Sequence, residues 1–505
     1  MSTTVLALLG FLMVGTIVWG LIQSKITPIP VFVIVSLIAG IIAVSPQIMS
    51  YSSDLDAHKA TVTQAQEAAK KADAEAKAAV GEPDEQAKAA TAKTTADAAK
   101  KAQDTLKKFK HPIGQLFVDI GKGVTKTMPI AVLFIFSIVY FCVMNDVGMF
   151  DPLVNALVRM AKSNVILVTV ATSIIAILGH LDGALASTLL VTVPAMLPVY
   201  KRLNMRPLTL LVIIGAAMSI MNLLPWGGPV ARTGVITGVP VEELWHTLIP
   251  LQVVCCIVVV IFAAFMGVIE KKRGAGLAVN ADGSFDMTAP EEDPKTAALK
   301  RPKLVWFNCL LTLGVIALLC FTKIPLYFAF MIGLSIALVV NFPKAKDQSS
   351  RIKEHAASAL PMASILLASG VFLGVLTGTG MIKAMAEMFI RIIPDFLGPY
   401  LHIVLGVFSV PIGMVLGTDS YFYGLVPLAM EVGKNFGVDP LNMAYTMLIG
   451  KNFGVLVTPH AATTFLAIGL AGVELKDHLK FCTFWLWILA IVTLLISFVM
   501  GIVTL

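Results

Sequence analysis

Charge is scarce in this chain: Asp, Glu, Lys and Arg make up 14% of its 505 residues, against about 25% in ordinary soluble domains. With 57% hydrophobic residues and a mean hydropathy of +0.85, that scarcity excludes a soluble enzyme. Metal and redox motifs are missing as well. The six cysteines (Cys142, Cys255, Cys256, Cys309, Cys320, Cys482) all fall inside apolar runs, with no CxxC and no histidine at metal-ligand spacing. They read as small core residues, without disulfides or zinc. Neither HExxH nor GxSxG occurs, which argues against an intramembrane enzyme. The net charge of +7 comes from basic residues in short loops, not from a basic domain, so nucleic acid is not an expected partner.

What the chain has instead is a series of apolar runs, each long enough to cross a hydrocarbon core of about 30 Å as a helix. Full spans are predicted near 4–22, 28–48, 129–148, 207–238, 247–269, 304–322, 324–341, 357–377, 440–473 and 480–504. The first lacks a basic leader and a small-residue cleavage site, so it is expected to be retained. Stretches 165–200 and 396–433 are broken midway, at His180-Leu181-Asp182-Gly183 and Gly417-Thr418-Asp419-Ser420, and are predicted to be re-entrant hairpins. Lysine and arginine concentrate in 270–303 and 342–356, which places both segments in the cytoplasm and both termini outside. Residues 51–110 are Ala/Lys/Glu-rich with Gly81-Glu82-Pro83 as the one strong breaker, and are expected to form an external helical hairpin.

The two halves resemble each other. Residues 147–160 (VGMFDPLVNALVRM) echo 379–392 (TGMIKAMAEMFIRI), Arg206-Pro207-Leu208 echoes Asp439-Pro440-Leu441, and Asp182 echoes Asp419. An odd number of crossings per copy turns the second upside down. The expected fold is therefore an all-α polytopic membrane protein of two inverted repeats, each with about five transmembrane helices, a re-entrant hairpin and an unwound helix. Its parts are 1–50 (first helices, scaffold), 51–110 (insert), 111–269 (rest of repeat 1), 270–303 (cytoplasmic linker) and 304–505 (repeat 2).

Unwound chain at membrane depth occurs only where protein or a water-filled cavity satisfies its backbone, so breaks mark a site. Beside the two hairpin tips, breaks are predicted at Asn222-Leu223-Leu224-Pro225-Trp226-Gly227-Gly228-Pro229 and from Lys451-Asn452 through Thr458-Pro459-His460. Half-helix N-termini suit carboxylates and exposed carbonyls suit cations, so the pattern predicts an anion carried with a cation or proton. Asp182 and Asp419 are the lone charges of their stretches, and with His180 and His460 are the candidates for the coupling ion, proton or metal. Arg232 and Lys451, equally isolated, are assigned to charge balance, either against cargo or against the aspartates. The candidate cargo-binding residues are Ser187, Thr188, Asn222, Trp226, Gly227, Gly228, Ser420, Tyr421, Tyr423, Asn452, Thr458 and Thr463.

Four stretches carry a family resemblance: Met221-Asn222 with Pro225-Trp226-Gly227-Gly228-Pro229; Asp419-Ser420-Tyr421-Phe422-Tyr423-Gly424 with Pro427; Arg301-Pro302-Lys303-Leu304-Val305-Trp306-Phe307-Asn308; and Gly370-Val371-Phe372 with Thr377-Gly378-Thr379-Gly380-Met381. In these the chain resembles the CitMHS family, the metal-citrate/proton symporters of the ion transporter superfamily. The resemblance covers nearly everything except 51–110. It implies an elevator-type homodimer in the cytoplasmic (inner) membrane that imports citrate or a related di- or tricarboxylate with protons. No resident cofactor is implied, with Mg2+ or Ca2+ entering only inside a transported citrate complex. A cation/proton antiporter of the same superfamily is the alternative. Two positions depart from the family pattern: Ala184 stands where the family has a second acid, and Phe465 where it has a histidine, the nearest here being His460. One carboxylate fewer means one fewer oxygen ligand for a divalent metal.

Overall fold

The computed structural model describes residues 1–23, 27–81, 83–108, 111–152, 156, 164–276, 294–322, 324–459 and 461–504. Among them every regular element is helical. After α1 (Thr3–Gln23), α2 (Pro28–Ala78) is one helix of 51 residues with a single π turn at Val31–Val35. The membrane helix thus does not stop at residue 50. Nothing between Pro46 and Gly81 breaks it, and its Ala-rich continuation packs against α3 (Glu85–Lys108) across a turn in which Gly81 is left-handed.

α4 (Pro112–Asp146) begins well before the predicted 129–148 span. Its charges at Asp119 and Lys122 hide the helix from a hydropathy reading, yet they pair with each other at 2.8 Å one turn apart. α4 packs lengthwise on α12 (Ala345–Gly378), and glycines let the backbones touch. A methyl on Gly374 would fall 2.6 Å from the Asp119 carbonyl oxygen and 2.7 Å from Ile120 Cα. Gly374→Leu is therefore expected to destabilise the protein by about 1–3 kcal/mol or more, read as a lower melting midpoint and poorer recovery of monodisperse protein in detergent.

The polar breaks are built by two hairpins and two interrupted helices. α5 (Val165–Gly179) and α6 (Leu185–Arg202) form the first hairpin: Thr172 Oγ1 and Tyr200 OH lie 3.1 Å apart across its arms, and Gly183 (φ 70°) turns its tip. α7 (Pro207–Met221), buried nearly throughout, stops before 222–227, and α8 (Gly228–Thr237) resumes. A helix cannot pass here, because Pro225 and Pro229 lack N–H groups and a side chain on Gly227 would strike the Asn222 and Leu224 carbonyls. α9 (Val241–Lys272) completes this half.

α10 (Val305–Phe321) and α11 (Leu326–Asn341) lead into α12. The predicted 324–341 span is thus a helix of 16 residues, about 24 Å long and short of the hydrocarbon thickness. After α13 (Met381–Ile390) come α14 (Leu401–Val407), a 78° bend, α15 (Ser409–Asp419), a π turn at 420–425 and α16 (Val426–Asn435). Gly417 (φ 73°, ψ 175°) breaks α15. In an unbroken helix Ser409 and Tyr421 would stand about 18 Å apart, yet their hydroxyls meet at 2.6 Å, so the chain doubles back there. α17 (Pro440–Asn452) and α18 (Ala462–Ala471) flank the second break, and α19 (Leu475–Val499) closes the chain.

Left-handed residues recur at matching points of the two halves: Gly148 and Gly380, Gly183 and Gly417, Asn204 and Gly437, Gly238 and Gly472. The broken helices also cross over. α7 packs on the first hairpin while its continuation α8 packs on the π turn and α17; α17 packs on the second hairpin while α18 packs on α6. Each hairpin is thus served by one half of both interrupted helices.

Candidate functional site

Around the first tip, the Asp182 carboxylate accepts the Ala184 N–H at 2.8 Å and the Ser187 hydroxyl. His180 joins tip to break: its Nδ1 shares a 2.7 Å hydrogen bond with Thr188 Oγ1, and its Nε2 lies 3.2 Å from Asn222 Oδ1. A carbonyl oxygen accepts, so Nε2 carries the proton. Trp226 donates its Nε1–H to the Leu181 carbonyl at 2.7 Å, and a methyl on Gly183 would lie 3.1 Å from the Trp226 oxygen. Tip and break are one unit. Beside Asp182 and Ser187 lies a cavity of about 20 Å³, room for about one water, walled on its other side by Phe141 and Asn145 of α4.

The second tip holds charge. Arg232 of α8 binds one carboxylate oxygen of Asp419 through Nη2 at 2.6 Å and Nε at 2.8 Å, with side chains 8% and 19% exposed, so this pair is shielded from water. Gly228 opens α8, where a methyl would come 2.7 Å from Arg232 Nη1, and Gly227 is its N-cap. Lys451, at the end of α17, is fully buried against Gly413, and its Nζ has no hydrogen-bond partner among the described residues. Among the described residues Asn452 has neither amide atom bonded, Asn222 Nδ2 is unbonded, and so is Ser420 Oγ. A buried polar group left unpaired costs about 1–3 kcal/mol. Such atoms occur at three of the four interruptions.

The remaining candidates are structural neighbours of these. Tyr421 OH meets Ser409 Oγ and donates to the Met447 carbonyl at 3.2 Å; Tyr423 is buried with its ring 5.6 Å from that of Phe32. Thr458 Oγ1 donates to the Gly454 carbonyl at 2.9 Å. Thr463 lies in the first turn of α18, but its neighbour Thr464 binds the break, reaching the Thr458 carbonyl at 2.8 Å and that of Leu456 at 3.1 Å. His460 lies outside the described residues. The second break also lies against α7: a methyl on Gly215 would be 3.6 Å from Leu456 Cβ. Asn145 stands outside the sequence-derived candidates, and Thr464 is visible there only as a neighbour of Thr463. One is at the end of a span and the other is a threonine beside a threonine, and only their neighbours distinguish them.

Comparison with known proteins agrees with this construction. The chain is 34% identical over 396 residues to a Bacillus subtilis (strain 168) protein named "Citrate transporter", covering 78% of this chain and 90% of that protein. It is 35% identical over 394 residues to the "Mg(2+)/citrate complex secondary transporter" of the same organism, covering 76% and 89%. The crystal structure of the Alcanivorax borkumensis YdaH transporter shares the fold, with a TM-score of 0.55 at 15% identity over 77% of this chain and 89% of that one. The CitMHS model, described as "Citrate transporter", matches residues 2–450. The chain is a multi-span membrane transporter, not an enzyme, and belongs to the CitMHS citrate transporter family.

Proposed function

We propose that this protein is a secondary active symporter that imports citrate, free or as a divalent-metal complex, together with protons across the cytoplasmic membrane. The observation that carries the reading is a pair of buried donors, Lys451 Nζ and Asn452 Nδ2, unbonded among the described residues where α17, α8 and the second hairpin converge, with Asn222 Nδ2 likewise unbonded at the first break. Citrate carboxylates supply the acceptors those donors lack. Arg232 is already paired with Asp419, which leaves Lys451 as the cation for cargo. Asp182 has hydrogen-bond donors but, among the described residues, no cation on it, so of the two aspartates it is the better proton or cation carrier.

The four matched left-handed positions and the crossed packing of the broken helices support two inverted repeats. Hairpins and broken helices would move as one body against the α4–α12 pair, in a homodimer with termini and the 51–110 hairpin outside. Alternating access needs only cargo that binds two positions of that body differently.

The test is uptake of labelled citrate into proteoliposomes under an imposed pH gradient, with and without Mg2+, Ca2+ and a chelator. An inward proton gradient is expected to drive accumulation, and a chelator to abolish it if the complex is the cargo. Cation flux that proceeds without any carboxylate would replace symport by antiport. In Asp182→Asn, accumulation should no longer follow the pH gradient. Unaltered pH dependence there would remove Asp182 from the coupling role.

A further inference from the structure

Where a helix unwinds inside a protein, its freed carbonyls need fixed partners, or the segment has no single shape. At the second break the Leu456 oxygen accepts two hydrogen bonds, from Thr464 Oγ1 at 3.1 Å and from His478 Nε2 at 2.9 Å. His478 is fully buried in the first turn of α19. Its Nε2 must carry the proton, because the carbonyl only accepts. Its Nδ1 lies 3.4 Å from Cys482 Sγ one turn further on and, with the proton on Nε2, can only accept from that thiol, which also reaches the Leu208 carbonyl at 3.8 Å. Both ring nitrogens are thereby used, and the ring has one orientation.

The first half has a counterpart. Gln252 of α9, 8% exposed, donates through Nε2 to the Ile220 carbonyl at 3.2 Å, in the last turn before 222–227. Its Oε1 accepts the Trp245 Nε1–H at 3.0 Å two turns earlier on the same helix. In both halves, then, the helix that follows the broken one places a buried polar side chain on a backbone carbonyl at the interruption. In both, a neighbour on that same helix pins the side chain. Two such clamps, built from different residues, are difficult to ascribe to packing alone, since an apolar side chain would fill either position without burying a polar group.

We propose that His478 is a positioning residue for citrate transport: it fixes the Leu456 carbonyl and with it the shape of 453–458, which presents Asn452 and Thr458, while Gln252 does the same for Asn222. His478 touches no cargo. The inference rests on the reading that the breaks hold citrate.

The experiment measures KM and maximal rate of citrate uptake by the full-length protein in proteoliposomes, for wild type, His478→Leu, His478→Gln, Cys482→Ala and Asn452→Ala. Losing one hydrogen bond to a site-forming carbonyl should raise the citrate KM about tenfold in His478→Leu, with maximal rate per folded molecule little changed. His478→Gln, which can still donate, should restore most of that loss. Cys482→Ala frees the ring at one end and should raise KM by about threefold. The proposal is overturned if His478→Leu lowers only the amount of folded protein, or if His478→Gln is as impaired in KM as His478→Leu. Where His478→Leu is not recovered folded, Cys482→Ala decides: an unaltered KM overturns the proposal and a raised one supports it. Asn452→Ala reports on the underlying reading. An unaltered KM there removes the break from the site, whereas a raised KM there with normal KM in His478→Leu removes His478 alone.

Discussion

Replacing Lys451 with methionine is expected to lower citrate uptake by about a hundredfold while making the folded protein more stable. The two effects have one cause. Lys451 is fully buried, and among the described residues its Nζ has no hydrogen-bond partner. An ammonium taken from water without a partner costs several kcal/mol, and replacing buried charge by apolar side chains of similar size is often stabilising by about 1–4 kcal/mol. Methionine keeps the length of the stem that packs against Gly413 and removes that penalty. With cargo bound the sign reverses, because removing one member of a buried charged contact costs about 2–5 kcal/mol, and 1.4 kcal/mol is about tenfold in affinity. Melting midpoints in detergent and citrate uptake, measured on the same preparation, check the pair. Normal uptake would take the ammonium out of the cargo site, and a lower melting midpoint would mean that Lys451 serves the fold.

The interruptions could be read from sequence because their causes are local. Pro225, Gly227 and Pro229 deny a helix its hydrogen bonds whatever surrounds them, and Gly183 and Gly417 sit where the tips need a left-handed residue. Isolated charge in an apolar run is likewise visible one residue at a time, which is how Asp182, Arg232, Asp419 and Lys451 were found. Their partners were not visible. Arg232 and Asp419 are far apart in the chain, and an inventory of buried charges does not say which two meet. Hydropathy also misplaced ends: α4 starts at Pro112 because Asp119 and Lys122 neutralise each other on its surface, and α2 continues to Ala78 because no breaker intervenes. At the second break Thr463 and Thr464 are both legible as hydroxyls, and which of them turns to the break is a matter of helix phase. Successive residues point about 100° apart, and only packing shows which one faces the break.

Asp419→Asn is expected to destabilise the protein by about 3–5 kcal/mol, because it leaves the buried Arg232 guanidinium without a counter-charge. Loss of uptake in that variant would therefore say nothing about coupling, since a structural pair and a functional one fail alike. The double variant Arg232→Met with Asp419→Leu separates them. It removes both charges together, so stability should return to near or above wild type, as it does when buried pairs are exchanged whole for apolar residues. A pair that only holds α8 to the second hairpin would then leave citrate uptake intact. A pair that the transport cycle itself requires would leave a stable protein that moves no citrate. The second outcome is expected, because the pair adjoins Ser420, and Lys451 and Asn452 of the second break lie against the same hairpin, with their polar atoms unbonded among the described residues. Melting midpoints of the wild type, both single variants and the double variant give the coupling energy, and uptake by the double variant assigns the role.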